Sequence, residues 1–250
     1  MTLLGIDIGG TGIKGAPVNV ETGELLAERH RLPTPVPSHP NTVADAVGEI
    51  AKHFNYAGPT GITFPGVVKQ GVIYTAANVD HAWIGTNAAE LFSKHVNGPV
   101  TLINDADAAG VAEVRFGAGK DRKGIVIMLT LGTGIGSAIF LDGKLLPNSE
   151  FGHLQIRGKD AEKRASEKVR EDKKLSWKKW GKRLSEYLNE LEKLFSPDLF
   201  VIGGGISKDS EKFFKHLKTR TEVVVVPALM RNEAGIIGAA YLAHETGQQG

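Results

Sequence analysis

DIGGTGIKG, residues 7–15, ends the first apolar run of the chain and decides how the rest is read. LLGIDIG alternates as a strand, and the glycines after Asp7 then let the main chain turn and point successive N–H groups at one place, as oxyanion recognition requires. Two more turns of this kind follow apolar strands, LTLGTGIGSA at 129–138 and VIGGGIS at 201–207. Any one alone is equally a tight strand end. Neither standard nucleotide signature is met: GxxxxGK followed by Ser or Thr is absent, and Gly132, Gly134 and Ser137 miss the third glycine of GxGxxG. The first turn also carries an acid, a hydroxyl and an amine. Asp7 can hold a hydrated Mg²⁺ while Thr11 and the N–H groups of Gly9, Gly10 and Gly12, with Lys14 nearby, hold phosphate.

Outward from this turn, strands and helices alternate, which makes the class α/β. GIKGAPVNV and ELLAERHRL extend a β-meander, and TVADAVGEIAKHF repeats Val43, Val47, Ile50 and Phe54 at helical spacing. GITFPGVV, GPVTLIND and a double strand at 125–141 then alternate with helical stretches near 86–96 and 106–115. SWKKWGKRLSEYLNELEKLF, 176–195, sets Trp177, Trp180, Leu184, Tyr187, Leu191 and Leu194 on one apolar stripe, so its tryptophans read as core anchors. DLFVIGGGIS and VVVVP are further strands, and EAGIIGAAYLAHE is a last helix of small apolar residues.

Composition narrows the chemistry. The chain has 250 residues, 41% of them hydrophobic, enough for a substantial core, and it has no Cys, which excludes disulfide scaffolds, thiolate zinc sites and cysteine nucleophiles. MTLLGIDIGG lacks a basic n-region, so a cytoplasmic protein is expected. Residues 124–141 carry no charge, but their glycines divide them into two β-rich runs, so they read as paired strands and no membrane span is expected. The net charge of +2 hides a concentration of base: residues 159–183 hold eleven Lys and Arg against five acids. A mixed run of this kind is either a solvated helix face or a polyanion track. At NDADAA, Asp105 stands where the strand VTLIN gives way to a helix, a position suited to a general base. Asn104 or Asp105 as a simple helix cap explains the pattern equally well.

The order of these parts resembles the ROK sugar kinases, which are built on the actin-like ATPase (ribonuclease H-like) fold. The resemblance spans nearly the whole chain: DIGGTGIKG, FPG at 64–66, Asn78 and Trp83 in NVDHAW, NDADAA, LGTGIG, EFGH at 150–153, and IGGGIS. It implies two α/β lobes with a cleft, one over residues 1–109 with a C-terminal helix at 234–250 packing back on it, the other over 110–235. It also implies a second phosphate loop at Thr130, Gly132, Thr133 and Gly134, and a nucleotide-side loop at Gly203, Gly204 and Gly205. By the same likeness Asn104 and Asp105 face the sugar, Asp105 deprotonating the hydroxyl that is phosphorylated. Pro65, Gly66, Asn78, Glu150, His153 and Glu162 complete the sugar site. Read from the residues alone, Glu150 and His153 are instead a pair of metal ligands three apart on one helix face, but a second such motif is missing.

Many ROK members carry a cysteine-rich zinc motif after the EFGH-type segment, where this chain runs LQIRGKDAEKRASEKVREDKK without Cys. No zinc is therefore expected, and the segment is similar to the polyphosphate glucokinase branch. That branch implies phosphoryl transfer from inorganic polyphosphate or ATP to glucose, with mannose as a further acceptor, and Mg²⁺ as cofactor. Lys159, Lys163, Arg164, Lys168 and Arg170 are the expected polyphosphate track, since a chain carrying about one charge per phosphate needs cations beyond a loop's N–H groups. Trp177 and Trp180 in the basic region fit the core stripe better than stacked bases, so no nucleic-acid partner is expected. A strictly ATP-dependent hexokinase is the rival within the family. A sugar-responsive regulator would need a helix-turn-helix before Asp7, and a filament or chaperone-like ATPase has no use for EFGH and NDADAA. A homodimer is left open.

Overall fold

The computed structural model describes residues 1–77 and 79–248 and divides the chain into two units: Met1–Ala112 with the chain from Glu233 onward, and Glu113–Asn232. Asn78 lies outside the described residues.

The first unit is a six-stranded sheet. Strands β1 (Thr2–Ile8) and β2 (Ile13–Asn19) form an antiparallel hairpin, and β3 (Glu24–Leu25) and β4 (His30–Leu32) both pair with β2. ELLAERHRL is thus two short strands and not one, because the chain leaves the sheet between Leu25 and His30. Helix α1 (Pro40–His53) leads to β5 (Thr60–Phe64), which lies parallel to β1. A small ribbon, β6 (Val68–Lys69) with β7 (Val72–Ile73), and helix α2 (Ala88–Val96) precede β8 (Val100–Asn104), parallel to β5, and α3 (Asp105–Phe116) follows without a loop. Trp83 is fully buried against Phe64 and Phe92, and its indole N–H donates to Ser38 O at 2.8 Å. Ile6, Ile50, Ile62 and Phe92 belong to the same core.

The last helix, α8 (Ala234–Gly247), lies on this sheet at backbone contact. A Cβ placed on Gly61 of β5 would stand 1.8 Å from Ala239 O, so only glycine lets the helix come so close. That explains the small residues of α8: they permit a short distance between layers, and the dispersion contacts are made largely by backbone.

The second unit repeats the plan. Strands β9 (Ile125–Leu131) and β10 (Ile135–Leu141) are an antiparallel hairpin, the uncharged stretch 124–141, and β11 (Lys144–Leu146) extends it. A ribbon of β12 (Gln155–Ile156) and β13 (Lys159–Asp160) is followed by the short helices α4 (Glu162–Ala165) and α5 (Glu167–Asp172), then by α6 (Trp177–Phe195). Strand β14 (Leu199–Gly203) pairs parallel with β9, a one-turn helix α7 (Ser210–Phe213) intervenes, and β15 (Val224–Pro227) closes the sheet parallel to β14. Both sheets therefore run hairpin strand, hairpin strand, third antiparallel strand, then two parallel strands on the far side. None of the described helices is long and apolar enough to cross a membrane.

Helix α6 buries Trp180, Leu184, Tyr187, Leu188 and Leu191. Two members of the expected stripe depart from it. Leu194 is 60% exposed, because the last turn of α6 packs its half-buried neighbour Phe195 against Phe151 instead. Trp177 is half-buried at the rim, between Phe213 and the Arg170 guanidinium, which sits 4.1 Å from a ring centroid.

Candidate active site

In the first unit, Asp7 and Lys14 are direct cross-strand partners on the β1–β2 hairpin, so their side chains share one face and Lys14 Nζ reaches Asp7 Oδ2 at 3.0 Å. Thr63, the partner of Asp7 on β5, donates its hydroxyl to Asp7 Oδ1 at 2.7 Å and accepts the Ile8 N–H at 3.0 Å. The start of α8 closes in from another side: a Cβ on Gly235 would be 2.7 Å from Asp7 Cγ. Three strands and a helix thus hold one carboxylate. The turn beyond it is closed by Gly9 N–H on Gly12 O at 3.0 Å, with Gly10 and Thr11 exposed. Two residues that local sequence patterns do not reveal brace it. Arg31 Nη2 donates to Thr11 O at 2.9 Å and covers Gly12, and Thr34 Oγ1 donates to Gly9 O at 2.5 Å. Arg31 lies on β4 and Thr34 just after it, so only the pairing of β4 with β2 brings them there.

The strand-to-helix junction carries the second part. Asn104 Oδ1 accepts the N–H groups of Ala106 (2.9 Å) and Asp107 (3.1 Å), capping α3, while its Nδ2 donates to Gly66 O at 3.1 Å. Asn104 is therefore the cap that the junction required, and it ties the FPG loop of Pro65 and Gly66 to the helix start. Asp105, the first helical residue, is exposed, with Oδ1 accepting the Ala106 N–H at 2.8 Å.

In the second unit, Thr130, Gly132, Thr133 and Gly134 form the end and turn of the β9–β10 hairpin, with Gly132 N–H on Gly134 O at 3.1 Å. Gly203 pairs in register with Thr130, so the third glycine turn starts beside the second. Gly204 has φ of +86°, and a Cβ there would lie 2.3 Å from Leu131 O. The two loops are in backbone contact, and the Lys168 N–H adds a bond to Gly132 O at 3.1 Å. Gly205 faces Glu167, whose carboxyl is held above its usual range by burial and by the Glu171 charge.

EFGH runs from Glu150 into a one-turn 3₁₀ segment, Phe151–His153, fastened to β10 because Ser137 and Ser149 exchange hydroxyl-to-carbonyl bonds at 2.8 and 2.9 Å. Burial raises the Glu150 carboxyl above its usual value; the nearby His153 opposes this and Glu162 adds to it. A Cβ on Gly134 would be 2.6 Å from Glu162 Oε2, which places Glu162 on the second glycine turn. Near it lies Tyr187, wholly buried, its phenol pushed well up by burial and by the Glu162 charge. His153, Asp160 and Glu162 bring ligand atoms within 4.8 Å of one another, the one such group among the described residues. Asp160 is already compensated by Lys163 at 2.6 Å and by Gln155. The group is a cluster of hydrogen-bond acceptors around an anchored carboxylate.

The five cations expected as a track are mostly engaged within the protein. Lys163 pairs with Asp160, Arg164 with Glu186 at 2.6 Å, Lys168 with Asp172 at 3.2 Å and Arg170 with Glu171 at 3.5 Å. Lys159 is exposed on β13.

The ROK family model matches residues 3–166. The chain belongs to the ROK family. This ROK protein is 50% identical over 237 residues to the polyphosphate glucokinase of Mycobacterium tuberculosis (strain CDC 1551 / Oshkosh), covering 94% of this chain and 89% of that one. Among solved structures it is similar to the inorganic polyphosphate/ATP-glucomannokinase of Arthrobacter sp. strain KM, with 49% identity, a TM-score of 0.92, and 98% and 99% of the two chains covered. It shares its fold with a ROK family glucokinase from Streptomyces griseus solved with glucose and AMPPNP, at 24% identity and a TM-score of 0.84 over 98% of this chain and all of that one. The fold is that of the ROK sugar kinases, the actin-like ATPase plan.

Proposed function

We propose that this protein is a kinase that moves the terminal phosphoryl group of inorganic polyphosphate or ATP to the 6-hydroxyl of glucose, with mannose as a second acceptor. The observation that carries this reading is the 50% identity over 94% of the chain to a polyphosphate glucokinase, joined by the likeness to a polyphosphate/ATP-glucomannokinase. The site supports it. Asp105, aimed outward at the start of α3, accepts the proton of the 6-hydroxyl as the O6–P bond forms and the bridging P–O bond to the rest of the donor breaks, releasing ADP or a polyphosphate shortened by one unit. Asn104 and the FPG loop hold the frame from which Asp105 projects, and Glu150, His153 and Glu162 accept hydrogen bonds from sugar hydroxyls. N–H groups of the three glycine turns take donor phosphates. Such transfer is chiefly positioning and charge stabilisation.

Asp7 fits a Mg²⁺ site: it is a single anchored carboxylate beside an exposed turn, and this ion keeps several waters and takes one or two carboxylates with substrate phosphates. Bound there through water, the ion would neutralise charge on the donor. Lys14, paired to Asp7, is the protein's own cation at the same place.

The reading is tested by measuring glucose 6-phosphate formation with long-chain polyphosphate, with ATP and with both, in Mg²⁺ and then with chelator. Turnover with each donor, competition between them and loss on chelation are expected. Turnover with ATP alone would reduce the protein to an ATP-dependent hexokinase.

A further inference from the structure

The polar side of α6 forms one wall of a groove of about 960 Å³ that lies entirely within the second unit and is lined by nine Lys or Arg against two Glu. We propose that this groove holds the distal part of a long polyphosphate donor, beyond the phosphates bound at the glycine turns. The inference rests on the polyphosphate reading above and assigns it a surface that shares only Arg164 with the 159–170 segment.

The groove is built and not incidental. Lys178, Lys182 and Lys193 follow one another along α6, and the fifteen residue steps from the first to the last run about 22 Å at 1.5 Å per residue. The facing wall is the segment after α7, which brings Lys215, Lys218 and Arg220. It is fixed to α6 at two points. Ser185 Oγ accepts the Lys218 N–H at 2.9 Å, and the buried Glu192 carboxylate accepts the N–H groups of Arg220 and Thr221, both at 2.7 Å. Backbone is held and the cationic side chains are left outside. Lys178, Lys182, Lys215 and Lys218 are exposed and form no ion pair among the described residues. The two acids are already spent: Glu186 pairs with Arg157 and Arg164, and Glu190 with Lys193.

Position and chemistry select the occupant. Arg164 lines the groove and lies two residues after Glu162, whose carboxylate touches the second glycine turn. On a helix that step is about 200°, so α4 presents one side to the phosphate loop and the other to the groove. The groove thus begins one short helix away from where the donor's terminal phosphates would be held. ATP is too short to need it. Single-stranded nucleic acid binds through stacking platforms as well as cations, and the lining has no Trp, Tyr or Phe, with His216 its only ring. A polyanion with a charge on every unit and nothing to stack fits this lining.

The test replaces Lys178, Lys182, Lys215 and Lys218 together by Gln in the full chain, against a charge-matched control at the exposed Lys52, Lys120, Lys123 and Lys144. At a few-fold per exposed pair, the KM for long-chain polyphosphate should rise about 10- to 100-fold at low salt. KM values for ATP and tripolyphosphate should stay within twofold, the control should behave as wild type, and the salt dependence of long-chain binding should flatten in the groove variant. Wild-type turnover of polyphosphate with no change in the groove variant would overturn the groove assignment and leave the activity intact. Equal losses with tripolyphosphate and ATP would also overturn it, by tracing the effect to the loops. Absence of polyphosphate turnover in the wild type would sink the activity reading and the groove with it. Tighter wild-type binding of a single-stranded oligonucleotide than of polyphosphate would reassign the groove to nucleic acid.

Discussion

Glu192→Gln should destabilise the second unit far more than a charge change on a helix face ordinarily does. Glu192 is 5% exposed near the C-terminal end of α6, where a negative charge opposes the helix dipole, so its retention depends on what it binds. Burial pushes its carboxyl up, but the Thr221 hydroxyl and the Arg220 and Thr221 N–H groups overcome this and hold it below the usual range. Gln keeps one acceptor oxygen and turns an NH₂ toward donors, so one or two of three charge-assisted bonds are lost and an N–H is left buried. At about 1.5–3 kcal/mol for a bond to a charged group, the cost is about 2–4 kcal/mol. For a chain of this size that is a drop in Tm of roughly 5–15 °C. A carboxyl whose folded pKa is depressed contributes stability above its unfolded pKa of about 4.3 and loses it as pH falls through the folded value. The gap between wild type and variant should therefore be full at pH 7 and narrow towards pH 3. Calorimetry or urea unfolding across that range is the assay. A gap under 1 kcal/mol at pH 7, or one that does not change with pH, would refute the reasoning.

Asp105→Asn should lower turnover about 10²–10⁴-fold with the sugar KM near wild type, since the amide keeps the shape but takes no proton; steady-state kinetics within a few-fold of wild type would remove the base role. Gly61→Ala should cost more than about 3 kcal/mol in urea unfolding, because the added Cβ meets backbone of α8 that cannot rotate away; a loss under 1 kcal/mol would contradict the close packing. Because the Glu150 carboxyl is raised, it protonates at a higher pH than an ordinary glutamate, so as pH is lowered the glucose KM should start to climb at a higher pH than an ordinary glutamate would give. His153→Ala should move that climb to higher pH and Glu150→Gln should abolish it, whereas a flat wild-type profile would exclude ionised Glu150 from sugar binding.

How far the sequence reached follows from the range of each interaction. Gly204 turns at a φ of +86° that suits glycine, and Asn104 caps α3 through N–H groups two and three residues ahead. Such contacts are written within a few positions, and so was the α/β alternation that placed the glycine turns and Asp105 at strand ends. The ROK likeness was legible for the same reason, since its motifs are short local strings. Trp177 and Leu194 show the limit: spacing selects a helix face, but where that face ends depends on the neighbour, here Phe213 at one end and Phe151 near the other.

The charge of the basic region was equally plain in the sequence, and its use was not. Whether a lysine is available depends on the acid that folding brings to it, and a pair such as Arg164 and Glu186 spans 22 positions. Sequence by itself determined the class of fold, the family and the residue types at the turns, all of which are properties of short segments. Only the tertiary structure decided that Thr63, 56 residues away, orients Asp7, that Arg31 braces the phosphate turn, and that the unpaired cations line a groove along α6. The physical reason is that charge compensation and side-chain orientation are settled by neighbours in space, and pairing of distant strands and helices sets which neighbours those are.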